Sequence, residues 1–568
     1  MKTVLYTSPY VPAEWIEAHG LEPCRVVPSG GACAPAVLNG QGVCPFVRTF
    51  CSHVLSAQGA CGIVMTTTCD QMRRAFDVVA QMAWVPALLM NIPRTWQTVS
   101  SRRLYMGELE RLSDFLIHTG GTRPTGDCLA EVMRACEEGS RWRNRWAEAH
   151  PTAYPVIPVA LVGGPMRTQD LALFDLIREY GGFVALDATE GGEAGGHRPF
   201  DRRRLEDEPF MELADAYFDG IADVARRPND GFYDWLGLHL KERDIRGVIV
   251  HRYPWCDLWH AEVERIRQCT GMAVLDLIAQ RLEGLGHRIL WWEVPHRRHP
   301  EEGEDAVRLP GGFLAPKGLV AFVESELRRV GRALEDLAGR SLDEARLRAG
   351  IARTNRIRQC LADLRDLAYT VDPCPMPALE MLIAEMLAIH FCSDQDECLA
   401  VLEDLLAEVR ERVIAGVGVS GPGAVRVFWV NPVADLRGMN LLEQCGARVC
   451  GTDYLFAHAL DLIPEDRPAM EALAMQALAD PMVGPAFDRA SRIRQDIARF
   501  RSEAVVVCRI PGASHCAWEG RIIQEVLHQD MDIPIVEIDV PPVSDSVAAT
   551  LRTRLEALVE TVRQRRPR

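Results

Sequence analysis

The run GVCPFVRTFCSHVLSAQGACGIVMTTTCDQMRR, residues 42–74, limits what this chain can fold into more than any other stretch. Its strand-like segment GIVMTTT lies between two amphipathic segments, FVRTFCSHVL and DQMRRAF. Strand and helix in alternation are the pattern of a parallel sheet with crossover helices. Cys44 follows Gly42 and Val43 and precedes Pro45, which places it at a helix N-terminus. Cys69 falls where the strand ends and the next helix begins. Unpaired N–H groups and the dipole at a helix start favour a thiolate, and open α/β sheets bind ligands at this edge.

The same alternation extends along the chain. TVLYTS, CRVV and PALLMNIP read as further strands, so residues 1–100 form a first α/β unit. Residues 101–155 read as a charged helical connector. A second α/β unit, 156–316, opens with VIPVALVGG and carries Cys256 at a strand-to-helix junction, in GVIVHRYPWCDLWHAEVERIRQC. A helical segment, 317–424, leads to a third α/β unit, 425–568, which repeats the second. VRVFWVNPVADLRGMNLLEQCGARVCGTD follows the layout of VALVGGPMRTQDLALFDLIREYGGFVALD, and AVVVCRIPGASHCAWEG that of GVIVHRYPWCDLWHAE, with Cys516 set beside Cys256. The expected fold class is therefore α/β, with three Rossmann-like parallel-sheet units and helical connecting segments.

A net charge of −16 argues against nucleic acid and anionic membrane as partners. No apolar run approaches the ~20 residues of a membrane span and no signal-peptide pattern opens the chain, so a cytoplasmic protein is expected. That compartment keeps thiols reduced, and 18 cysteines then need a reason other than disulfides. Burial in the core is the ordinary fate of a free cysteine. No C-x-x-C pair is present, which gives little support to zinc ribbons or two-cluster ferredoxins. Three thiols at separate junctions, Cys44, Cys69 and Cys256, suit an iron–sulfur cluster with one iron left open. Tetrahedral zinc and buried, metal-free thiols are the alternatives.

The segments YVPAEWIEAHGLEPCR, VCPFVR, GIVMTTTCDQMRR and GVIVHRYPWCD resemble the 2-hydroxyacyl-CoA dehydratase and benzoyl-CoA reductase family, which includes the double-cubane cluster proteins. The resemblance runs through residues 1–300 and returns over 320–568 as a second, N-truncated pass. It implies a [4Fe–4S] cluster on Cys44, Cys69 and Cys256, with a double-cubane cluster as the alternative form. It also implies one-electron chemistry on a CoA thioester or similar small molecule, and reduction by a separate ATP-hydrolysing iron–sulfur activator. A homologous subunit, or a second copy of the chain, is the further partner it implies. In such chemistry a thioester carbonyl takes up an electron, the ketyl radical acidifies the β C–H, and the α-hydroxyl leaves. The chain itself has no G-x-x-x-x-G-K-[ST] phosphate loop.

The chain departs from that family in having one first-type half and two second-type halves. Cys516, with Cys508, is a further candidate ligand from the third unit, and Cys33 from the glycine-rich loop is another. WCD in the second unit keeps a cysteine–aspartate pair that HCA in the third does not, which favours Cys256. Cys24, Cys51 and Cys61 could add thiolates to a double cubane, although Cys51 and Cys61 read as core. Arg73 and Arg74 read as surface ion-pairing residues, with a clamp for a CoA phosphate or a dock for the activator as the alternatives. His53, His251, His260 and His515 are candidate proton carriers.

Overall fold

A computed structural model describes residues 2–29, 43–148, 157–179, 181–253, 255–269, 292–391, 394–432, 436–454, 457–510, 514–540 and 545–566. The chain divides into two compact units, the first ending at Glu293 and the second running over Val294–Arg568.

In the first unit, β1 (Thr3–Tyr6), β2 (Glu22–Arg25), β3 (Ala60–Thr66) and β4 (Ala87–Met90) form one parallel sheet in the order β2-β1-β3-β4. The helix α1 (Ala13–Ala18) joins β1 to β2, and Gly20, at φ 78°, makes the left-handed turn that ends it. Helix α2 (Pro45–Ser56) starts on proline, whose fixed φ and missing N–H suit the first helical position. Helix α3 (Asp70–Met82) starts on aspartate, whose charge suits the positive end of the dipole. Two longer helices, α4 (Val99–His118) and α5 (Gly126–Glu148), follow. Leu109, Leu112 and Leu116 of α4 are buried against Ile16 and Trp15 of α1, so the segment expected to be a solvated connector contributes a packed face.

The second sheet of this unit has β5 (Ile157–Gly163) in the middle, β6 (Gly182–Thr189) on one side and β7 (Gly247–His251) on the other, all parallel. Helix α6 (Asp230–Glu242) precedes β7 and α7 (Asp257–Cys269) follows it. The strand expected in AVLDL lies outside the described residues. In the second unit, β10 (Val425–Val430), β11 (Ala447–Asp453), β12 (Ala504–Arg509) and β13 (Ile535–Asp539) form a parallel sheet in the order β11-β10-β12-β13. Helices Lys317–Ala338, Glu344–Thr370, Ala378–Met386 and Gln395–Ile414 precede it. A short antiparallel pair, β8 (Ala306–Arg308) and β9 (Leu314–Pro316), stands apart from the three sheets.

All three sheets share one arrangement: the first strand central, the second on one flank, the third on the other. The expected α/β class with three parallel-sheet units is what the structure shows. In this order the chain leaves the first and third strands in opposite directions, which opens a crevice at their C-terminal ends. No helix among the described residues is long and apolar enough to cross a membrane.

Candidate functional site

The crevices of the first unit's two sheets share one cavity, with about 970 Å³ of space counted out to its mouth. Thr7 and Ser8 after β1 and Thr68 and Cys69 after β3 line it from the first sheet. Gly163 at the end of β5, Glu190 beyond β6, and His251, Tyr253 and Cys256 at and beyond β7 line it from the second. Cys44 completes the set, so all three principal cysteines face the same space. Gly163 has no alternative here, because a Cβ at that position would lie 2.2 Å from the His251 carbonyl oxygen.

Each of the three thiols stands at a helix start. Cys44 and Cys69 are the residues immediately before α2 and α3, and Cys256 immediately precedes α7. Their ionisation differs from the sequence expectation of ready thiolates. Burial pushes Cys44 up to about 11, Cys69 up to about 12 and Cys256 up to about 11. The amide groups of Val47 and Phe46 at Cys44, of Met72 and Gln71 at Cys69, and of Trp259 at Cys256 act in the opposite direction but do not prevail. Each thiol is also raised by another of the three: Cys44 by Cys69, Cys69 by Cys256, and Cys256 by Cys44. Without a cation among them the three sulfurs are protonated at neutral pH, and a metal has to displace those protons to bind.

Several cavity residues gave no motif in the sequence. Glu190 is held by its backbone: its N–H donates to the Gly163 carbonyl at 3.0 Å, and its carbonyl accepts from Arg25 Nη2 at 2.7 Å. Burial raises its carboxyl to about 7, against the lowering effect of Arg25. His251, one of the expected proton carriers, lines the cavity; burial lowers its pKa, and its Nδ1 has no hydrogen-bond partner among the described residues. The Tyr253 hydroxyl donates to Asp170 and accepts from the Arg167 N–H at 3.1 Å. The Arg167 guanidinium lies 4.9 Å above the Tyr253 ring. Burial would raise Asp170, but the hydrogen bonds from Arg167 and Tyr253 hold it down to about 2.

Other candidates lie elsewhere. Cys51 is fully buried in the apolar face of α2, Cys61 packs against the core from β3, and Cys24 sits in β2. Cys33 lies outside the described residues, as do the side chains of His515 and Cys516. Cys508 is fully buried in the core of the second unit with Val427, Trp429 and Val506. His53 is on α2 and His260 on α7, and neither lines the cavity. Arg73 pairs with Asp70 at 2.5 Å, while Arg74, expected at the surface, is buried with 1% exposure.

The edge of the third sheet is built differently. Asn431 follows β10, Asp453 ends β11, and both bond Arg489 of the helix Ala486–Arg499. Arg489 Nε donates to Asp453 Oδ2 at 2.8 Å and its Nη2 to Asn431 Oδ1 at 2.8 Å. Its Nη1 donates to Glu519. All four side chains are buried. The helix after β12 begins at Ser514, and the residue as far beyond Ala504 as Cys256 is beyond Gly247 is Ala513. Cys516 corresponds by that count to Trp259 and not to Cys256.

Soft thiolate donors suit iron–sulfur clusters, Cu(I) and zinc. Among the described residues no three His, Cys, Asp or Glu side chains close on a single ion. No curated protein matches the chain. The family model described as 2-hydroxyglutaryl-CoA dehydratase, D-component matches in three passes, over residues 9–162, 156–277 and 308–562. With most of its length covered by those matches and its duplicated layout visible in them, the chain belongs to the 2-hydroxyglutaryl-CoA dehydratase D-component family.

Proposed function

We propose that this dehydratase-type component carries one [4Fe–4S] cluster on Cys44, Cys69 and Cys256 and acts through it on the thioester of a 2-hydroxyacyl-CoA or a similarly hard-to-reduce small molecule. The observation that carries the reading is the convergence of three helix-capping thiols from two sheets on one cavity. A bound cluster supplies single electrons at low potential, tuned by burial and by N–H groups facing its sulfurs. Three protein thiolates leave one iron free for a substrate oxygen or water.

The chain's own residues account for the rest of the site. Phe46, Val47, Met72 and Phe232 make part of the cavity wall apolar, and a low-dielectric wall strengthens each charge interaction beside it. Glu190, near neutrality in its pKa, can hold or release a proton at its carboxyl. Tyr253, fixed by Asp170 and Arg167, sets one wall. Among the described residues the cysteines lining the cavity are these three. Family membership implies a second component in the system; we assign electron delivery to an ATP-hydrolysing iron–sulfur activator and leave any ATP hydrolysis to that partner.

The test is electron paramagnetic resonance of the anaerobic full-length chain. Reduction with a low-potential reductant should give a cluster signal that shifts when a 2-hydroxyacyl-CoA is added. A signal indifferent to every CoA thioester would reduce the chain to an electron carrier without a substrate site. Absence of any signal from an iron-free chain would remove the reading.

A further inference from the structure

Gln71 touches all three thiol-bearing segments, and we propose that it is the positioning residue that holds them at ligand spacing before any metal arrives. The inference rests on reading Cys44, Cys69 and Cys256 as ligands of one cluster. Gln71 is the second residue of α3, two after Cys69, and it is 4% exposed. Its own amide group faces the Cys69 sulfur. Its side-chain Oε1 accepts the Cys44 N–H at 2.6 Å. Its Nε2 donates to the Trp255 carbonyl at 3.3 Å, one residue before Cys256.

The chemistry of the bridge requires a carboxamide. One arm must accept from a backbone N–H and the other must donate to a backbone carbonyl, and a neutral amide offers both in one plane. An ionised glutamate can only accept, so it would keep the Cys44 arm and repel the Trp255 carbonyl. Asparagine is one methylene too short to span the same two groups. The Trp255 arm has a particular duty, because Trp255 has φ 68°, in the left-handed region that a bulky side chain rarely adopts. The Cys256 N–H closes that turn locally on the Tyr253 carbonyl at 3.3 Å, and the Gln71 bond to the Trp255 carbonyl ties the turn to α3 directly before the third thiol. The three segments come from widely separated parts of the sequence, so no local turn could set their spacing.

The experiment is hydrogen–deuterium exchange on the full-length, metal-free chain, followed by chelator-challenged iron retention on the anaerobically reconstituted chain. Q71A should speed exchange about tenfold in the Cys44 segment and in the segment around Cys256, as loss of one hydrogen bond at each predicts. Q71E should speed only the second. Q71A should also lose iron to the chelator several-fold faster than wild type, with Q71E between them. Unchanged exchange in both segments, or acceleration spread evenly over β1–β4, would overturn the proposal. Equal effects of Q71A and Q71E at Cys44 would overturn it too. An iron-free wild type would bring down the cluster reading alone, since the exchange measurement is made without metal; if Q71A does not fold, the selective effect of Q71E still decides.

Discussion

Phe232 and Arg489 occupy the same place in two copies of one sheet edge. Each lies on the helix before the third strand, Phe232 as far ahead of Gly247 as Arg489 is ahead of Ala504. Phe232 lines the cavity, whereas Arg489 bonds Asn431, Asp453 and Glu519. The strand registers carry the correspondence further: Val162 lies between Ala188 and Val250, and Val430 between Asp453 and Val507. Small cavity-lining Gly163 and Ala188 thus correspond to Asn431 and Asp453, and the third edge is filled by the chain's own buried ion cluster.

That cluster makes Arg489 a strong determinant of stability. Removing the cation takes its charge from two buried carboxylates, so R489M should cost about 3–5 kcal/mol. Urea unfolding of the full chain measures it. Relieving the repulsion with D453N and E519Q should recover most of the loss, and a loss below about 1 kcal/mol in R489M would contradict the assignment.

The raised thiol values give a pH dependence whose sign is definite. Burial lifts all three above an ordinary thiol, so the folded metal-free chain keeps them protonated where the unfolded chain has begun to ionise. Their contribution to stability is complete below the ordinary thiol value of 9.0 and is lost as pH rises toward about 11 to 12. The metal-free chain should therefore lose stability in alkali more steeply than the triple variant C44S/C69S/C256S. Thermal melts between pH 7 and pH 10 test this, and parallel curves would contradict it.

Glu14 and His197 form a second titrating element, away from the thiols. His197 Nε2 lies 3.5 Å from Glu14 Oε1, and the Tyr217 hydroxyl donates to Glu14 Oε2 at 2.6 Å. Burial opposes both charges, yet hydrogen bonding with Glu14 raises His197, and hydrogen bonds from His197 and Tyr217 lower Glu14. The His197 contribution is complete below its ordinary 6.5 and fades as pH rises through its folded value. The Glu14 contribution is complete above its ordinary 4.5 and fades as pH falls through its folded value. H197Q should therefore destabilise the chain by about 1–3 kcal/mol near pH 5.5 and by less at pH 8.5. An effect that grows with pH would contradict the pairing.

The strands and the three junction thiols were legible because their signals are local. GIVMTTT is apolar and β-branched, and Pro45 and Asp70 mark the helix starts beside Cys44 and Cys69. The repeat was legible as layout but not in register, since matching Cys516 to Cys256 by motif ignores where each helix begins. Glu190 and Gln71 left no signal because their roles depend on partners far away in sequence, Arg25 for one and Trp255 for the other. Thiol ionisation could not be read for a similar reason: the helix start is visible in the sequence, but the depth of burial that outweighs it is not. Arg489 reads as one more charge on an amphipathic helix until Asp453 and Asn431 are placed beside it.

The central claim is tested most directly by counting iron and acid-labile sulfide in the full-length chain purified without oxygen, for wild type, C44S/C69S/C256S and C508S/C516S. A single cubane predicts about four of each per wild-type chain, none in the triple variant, and a full complement in C508S/C516S. Zinc in place of iron, a metal-free wild type, or iron that survives loss of Cys44, Cys69 and Cys256 would contradict it.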